Sequence, residues 1–205
     1  MQRENQIYLA SKSPRRRELL TQVGIEYELL LLRDIPPRGP DVTEIVFPGE
    51  LPHDYVSRVT REKAEMAWKV IHMRKLPVHP VLAADTTVVI DQQILGKPAN
   101  RDEAVSMLTL LAGNTHEVLT SIAVQHEHGL IAATQVSEVS FAALTAQQIQ
   151  DYCDTPEPYD KAGGYGIQGA AARFISHING SYSGIMGLPL FETCQVLRQS
   201  GIFIP

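Results

Sequence analysis

Cysteine is scarce in this chain of 205 residues, which carries only Cys153 and Cys194. They lie far apart, each in a segment with helical character, so neither a disulfide framework nor a paired-cysteine metal or redox motif is available. Both read as reduced core residues. Long apolar runs are also missing. No stretch approaches the roughly 18 consecutive apolar residues of a membrane span. The polar opening Met1 to Gln6 passes directly into a strand-like run, without the apolar segment of a signal peptide. A cytoplasmic protein with no membrane partner is expected. Positive charge is not in surplus either: 18 Lys and Arg stand against 23 Asp and Glu, a formal net charge of -5. That balance excludes a general attraction for nucleic acid or anionic lipid, so any anion site must be local. What remains, 44% apolar and 20% charged, is the composition of a compact globule, and the length fits a single domain over residues 1–205.

Strands and helices interleave along the chain. Ile7 to Ala10 is a short apolar run that breaks at Ser11-Lys12-Ser13-Pro14, and an amphipathic segment with Leu19, Leu20 and Val23 follows before Gly24. Ser13 suits the N-cap, Pro14 the first helical position and Gly24 a left-handed stop. Residues 33 to 53 carry five prolines and two glycines with little periodicity, which predicts an irregular surface excursion. From Asp54 onward Val56, Val59, Ala67 and Val70 fall at helical spacing, with Lys63 on the same stripe. Val81 to Ile90 reads as a buried strand interrupted by Asp85, turning at Asp91 to Gln93 into a partner at Ile94-Leu95. Asn100 with Glu103 and Thr145 with Gln148 open two further helices. Strands are predicted over Glu117 to Gln125, Leu130 to Phe141 and near Arg173 to Ile178, and a last helix over Pro189 to Gln199. The pattern calls for an α/β fold, a mixed twisted sheet flanked by helices.

Several residue groups invite chemistry. Ser11 to Arg17 places hydroxyls and three arginines at a helix N-terminus, where free N–H groups and the dipole favour an anion; a solvated basic turn has the same composition. Asp85 would be costly to bury in its strand unless a metal, a cation or hydrogen bonds compensate; an aspartate tied to nearby backbone at a bulge is the alternative. Glu44 has little signal of its own. Lys63 either serves a site or extends its head to solvent from an apolar face, and Lys97, between Gly96 and Pro98, sits on a constrained turn. In Asp160 to Gly169 the glycine density permits close approach of backbone to a ligand. There Tyr165 could stack on a base and Gln168 could read its edge, or the segment is a tight turn around a buried tyrosine. His116 has no second histidine at zinc-ligand spacing and reads as structural.

Taken together, these stretches resemble the Maf family of nucleotide pyrophosphatases. The matching pieces, in order, are Leu9-Ala10-Ser11 with Ser13-Pro14-Arg15-Arg16, Arg61-Glu62-Lys63-Ala64, Ala84-Asp85-Thr86, Gly96-Lys97-Pro98, and Gly113-Asn114-Thr115-His116. After them come Asp160-Lys161-Ala162-Gly163 with Gly166-Ile167-Gln168-Gly169, and Asn179-Gly180-Ser181-Tyr182 with Gly187-Leu188-Pro189. The resemblance implies a fold like that of the inosine triphosphate pyrophosphatases, with two lobes around a nucleotide cleft, and a cytoplasmic homodimer. It places the general base on Asp85 and base choice on Arg15, Thr86 and Gln168, the pattern of the branch acting on dTTP and UTP. The 7-methyl-GTP branch carries a tryptophan after Ser-Pro and lacks Tyr-Gly-Ile-Gln, and neither feature is present. Arg33 to Glu50 is longer than is usual in the family, and Asp41-Val42-Thr43-Glu44 only approximates its Val-Asp-Glu. With the charge of a nucleoside triphosphate to manage, Ser11, Arg15 and Arg16 are expected to hold phosphate. Lys63 and Lys97 would stabilise the transferring centre, and Asp85 with Glu44 would bind Mg²⁺ or Mn²⁺. The alternative from a different class is a nucleotide-binding regulator of cell division without turnover.

Overall fold

The computed structural model describes residues 6–33 and 39–204. Part of the proline-rich excursion therefore lies outside the described residues. Near its start Arg33 and Asp41 exchange backbone and side-chain bonds, including Arg33 Nη2 to Asp41 Oδ1 at 2.8 Å. Strand β1 (Gln6–Leu9) runs parallel to both β2 (Glu26–Leu29) and β3 (Val81–Ile90), joined by helices α1 (Pro14–Gln22) and α2 (Pro52–Arg74). From β3 onward neighbours pair antiparallel: β4 (Gln93–Leu95), β5 (Thr115–His126), β6 (Gly129–Phe141) and β7 (Ile175–Asn179). The result is a seven-stranded mixed sheet in the order β2-β1-β3-β5-β6-β7, with β4 attached to β3. Helices α3 (Arg101–Leu111), α4 (Ala146–Cys153), α5 (Tyr182–Ile185) and α6 (Leu190–Gln199) complete the chain.

Side-chain alternation along β3 distributes its residues between two faces. Val81 and Ala83 pack on α2 through Ala64, Ala67, Val70 and Ile71, while Leu82 and Ala84 meet Leu19, Leu20, Val196 and Leu197 of α1 and α6. Past the middle of the strand the partners change. Val88 and Ile90 join a core built with Leu108, Leu111, Tyr152 and Phe174, and Val89 meets Tyr55, Val56 and Val59 at the start of α2. The long strands β5 and β6 run through both halves, so two lobes share one sheet. At the waist between them Asp85 and Thr86 are the only residues of β3 that are not buried.

The same waist is an interruption in the ladder. On the edge of β3 away from β5, β1 pairs no further than Leu82 and β4 begins at Val88. Between those positions the β3 backbone must find other partners, because a buried unpaired carbonyl is costly. Strands that part company beside the carboxyl end of a parallel strand leave a crevice of the kind α/β sheets use for ligands.

Local signals at helix starts are mostly borne out. Thr145 and Gln148 form a reciprocal capping box, and Asn100 accepts from the Glu103 N–H. Ser13 departs from expectation: its side chain makes no cap, and Ser11 Oγ accepts from the Ser13 N–H at 3.2 Å instead. The last predicted strand starts two residues late, since Arg173 lies in the 3-10 turn Ala170–Phe174 that precedes β7. Cys153 is buried as expected, whereas Cys194 is only partly so.

Candidate active site

The gap on the β3 edge is filled by Arg16. Its Nη1 donates to the Ala84 carbonyl at 2.9 Å and to Ser11 Oγ at 3.1 Å, its Nε to the Gly187 carbonyl at 2.7 Å, and its Nη2 to Thr86 Oγ1 at 3.2 Å. Four of the five guanidinium donors are thereby used. Burial draws this guanidinium below the ordinary arginine range, and the repulsion of Arg15 adds to it against the pull of Asp85 and Glu44. Gly187 holds its carbonyl toward Arg16 with a φ of +112°, a backbone conformation that residues other than glycine rarely adopt. The hydroxyl of Thr86 lies 3.0 Å from that of Thr120, which donates to the Gly184 carbonyl at 2.8 Å. Since arginine only donates and a carbonyl only accepts, the protons run one way, from Arg16 through Thr86 and Thr120 to Gly184. Thr86 is left with acceptor capacity alone.

On the α2 face of the sheet, Asp85 meets the lysine of the apolar stripe. Lys63 Nζ is 2.7 Å from Asp85 Oδ1 and 2.6 Å from Glu44 Oε1. Two carboxylates from distant parts of the chain thus converge on one cation. The side chains of Asp85 and Lys63 are 13% and 16% exposed and that of Glu44 is 52% exposed, so Glu44 closes the group from the solvent side. Burial raises the Glu44 carboxyl, but Lys63, with Lys97 and Arg16 farther out, outweighs it and holds it below the usual glutamate range.

Two residues without a sequence signal hold Glu44 in place. Tyr55 donates its hydroxyl to the Glu44 carbonyl at 3.1 Å, and its phenol is pushed up to about 12 by burial and by the negative charges of Asp85 and Glu44. Arg58 forks onto Glu50 at 2.6 and 2.9 Å, donates to the Ile45 carbonyl at 3.0 Å and lies 4.0 Å over the Phe47 ring. Both project from the first turns of α2, so the helix that supplies Lys63 also anchors the segment that supplies Glu44.

The remaining candidates lie on other elements. Lys97 is exposed on the turn after β4, and the preceding Gly96 carbonyl accepts from the Gly163 N–H at 3.0 Å, which ties that turn to the glycine-rich segment. Arg15 is half-buried at the start of α1, and its charge is felt by Arg16 and by Asp160 at the head of the glycine-rich segment. Gln168 is exposed at the end of that segment, and among the described residues no hydrogen bond ties its side chain to the Asp85 centre. Tyr165 is not available to stack on a base: it is buried, hydrogen-bonded to His116 Nε2 at 2.6 Å and packed edge-on against Phe141. His116 is itself buried beside Phe141, and burial lowers its imidazole to about 4. Among the described residues no group of three or more His, Cys, Asp or Glu converges, and no helix is long and apolar enough to cross a membrane.

Two acidic groups meet at Lys63, with Lys97 and Arg16 close enough for their charges to act on Glu44. The model of the family described as "Maf-like protein" matches residues 6–200. The chain belongs to the Maf family. Curated relatives named "dTTP/UTP pyrophosphatase" include one from Bordetella avium, 53% identical over 97% of this chain and 97% of the relative, and one from Cupriavidus pinatubonensis, 53% identical over 95% and 96%. A third, from Nitrosomonas europaea, is 48% identical over 98% of this Maf chain and 97% of the relative. Among solved structures the Staphylococcus aureus Ham1 protein is similar at 14% identity and a TM-score of 0.45, covering 67% of this chain and 72% of that one.

Proposed function

We propose that this protein is a nucleoside triphosphate pyrophosphatase that hydrolyses dTTP and UTP to the monophosphate and pyrophosphate. The observation that carries the reading is the convergence of Asp85 and Glu44 on Lys63 at the waist of β3, in a chain about half identical over nearly its whole length to proteins named for that activity. The donor set fits a divalent cation: two hard carboxylate oxygens, each within 2.7 Å of one nitrogen, leave further positions to water and phosphate, as Mg²⁺ and Mn²⁺ prefer. When bound by Asp85 and Glu44, such an ion supplies Lewis acidity toward the phosphate oxygens.

The chain's own residues account for the rest. A triphosphate brings about four negative charges, which must be matched where charge develops. Arg15, the last free donor of Arg16 and the uncapped first turn of α1 suit the phosphate oxygens, with Ser11 completing the loop. Lys63 and Lys97 stand by the departing pyrophosphate. Asp85, on the strand at the waist, is the residue that accepts the proton of the attacking water. That water adds to the α-phosphorus, the bond to the bridging oxygen breaks, and pyrophosphate leaves with the electron pair. No enzyme-bound covalent intermediate is needed.

Preference for thymine and uracil is supported by the one-way hydroxyl chain. An acceptor-only Thr86 matches the N3–H of an imide and mismatches the N3 lone pair of cytosine, while Gln168 offers the donor and acceptor for the remaining edge. The assembly we propose is a homodimer acting on free nucleotides in the cytoplasm, without nucleic acid or membrane. The test is product identity. Incubation of dTTP or UTP with Mg²⁺ or Mn²⁺ should release pyrophosphate and the monophosphate, and direct appearance of orthophosphate with dTDP or UDP would refute the cleavage position.

A further inference from the structure

The segment that carries Gln168 is anchored at both ends by residues that face away from the cleft. Upstream, Tyr165 is locked to His116 and Gly163 to the Gly96 carbonyl. Downstream the anchor is Glu157. Its Oε2 accepts from the Ala170 N–H at 2.8 Å and its Oε1 from the Ala171 N–H at 3.5 Å, while Tyr152 donates to Oε1 at 3.1 Å. Tyr152 is fully buried and stacks edge-on with Phe174, so the carboxylate connects the lobe core to the backbone two residues beyond Gln168. Between the anchors the chain turns tightly, with the Gly169 N–H donating to the Gly166 carbonyl at 3.1 Å.

Gly169 exists for the same contact. Its backbone is extended, at φ -101° and ψ -162°, which alanine adopts without strain. Yet a Cβ there would stand 2.0 Å from Glu157 Oε1 and 2.4 Å from its carboxyl carbon. The absent side chain at Gly169 is what lets the carboxylate reach the Ala170 N–H.

We infer that Glu157 is a positioning residue for base selection, which acts through the backbone on Gln168 and does not itself touch the nucleotide. This rests on the reading of Gln168 as the residue that faces the base. A glutamine amide presents both a donor and an acceptor, so it discriminates between pyrimidines only when its place relative to the base is fixed. With no hydrogen bond among the described residues holding the Gln168 side chain, the backbone on either side must do the fixing. A charge-assisted clamp is the stronger of the available kinds.

The experiment uses the full chain and compares wild type with E157A, G169A, Q168A and the double variant E157A/Q168A, measuring kcat and KM for dTTP, UTP and CTP. G169A guards against misfolding, because it displaces the carboxylate while leaving Tyr152, Glu157 and the backbone conformation available. Expected are a rise in KM for dTTP and UTP of about tenfold and a matching fall in the UTP to CTP preference in both E157A and G169A, with kcat within about twofold. In the Q168A background E157A should add nothing, the signature of two residues acting as one unit. An equal loss for every nucleotide in E157A and G169A, or full additivity with Q168A, overturns the inference while leaving the role of Gln168 intact. A Q168A protein with unchanged preference overturns both.

Discussion

Replacing Lys63 with methionine should tighten metal binding while slowing turnover. The Lys63 ammonium sits 2.6 Å from Glu44 and 2.7 Å from Asp85, between the two carboxylates proposed to share a divalent ion. The ion therefore has to displace an internal cation. A unit ion pair near a protein surface is worth about 4 kcal/mol at 4 Å. Glu44 is half-exposed, so its share falls to about 1 kcal/mol or less. Part of the Asp85 share is recovered because a displaced lysine is solvated. The competition that remains is about 1.5–3 kcal/mol, or roughly ten- to a hundredfold in Kd. Lys63→Met keeps most of the stem that packs along α2 and removes the charge. Titration calorimetry with Mn²⁺ and no nucleotide should show binding tighter by that factor. Turnover of dTTP should fall by about a hundredfold, as expected when a donor to developing charge is lost. Unchanged or weaker Mn²⁺ binding by folded Lys63→Met would refute the shared position of lysine and metal.

Two further outcomes follow from the geometry. Arg16→Lys cannot reproduce four directed bonds to Ser11, Ala84, Thr86 and Gly187, so it should lower stability by about 2–4 kcal/mol in urea unfolding despite keeping the charge. His116 titrates near 4 when folded, against an ordinary value of 6.5. The unfolded state takes up its proton first, so stability is fully present above about 6.5 and is lost as pH falls toward 4, by about 3 kcal/mol in all. Chemical denaturation between pH 7 and 4.5 should show that slope in wild type, and His116→Phe should flatten it.

Much of the sheet was legible because its strands carry their own periodicity: β3 reads as ten buried residues broken by Asp85, and the break is where the lobes meet. The strand β2 was not legible. Its Glu-Tyr-Glu-Leu is largely exposed and is held by backbone pairing to β1, which leaves no apolar pattern. Among the site residues, Lys63 announced itself as a charge on an apolar stripe. Arg15, Arg16 and Arg17 looked alike in sequence. What singles out Arg16 is an orphan carbonyl at Ala84 and a glycine carbonyl 171 positions away, neither of which local sequence encodes. Tyr55 and Arg58 were missed for the same reason, since their partners lie in an excursion without periodicity. Tyr165 was ambiguous between cleft and core, and the deciding partner, His116, comes from the far side of the lobe.

The central claim is that Asp85 is chemical rather than structural, and Asp85→Asn tests it on one preparation. The substitution keeps the shape and a hydrogen bond toward Lys63 while removing the charge that would activate water and hold metal. Thermal unfolding and dTTP turnover are measured together. The account predicts a folded protein whose turnover is lower by about 10²- to 10⁴-fold, the usual cost of a lost general base. A folded Asp85→Asn protein within about threefold of wild-type turnover, with a lowered melting temperature as its main defect, would contradict it.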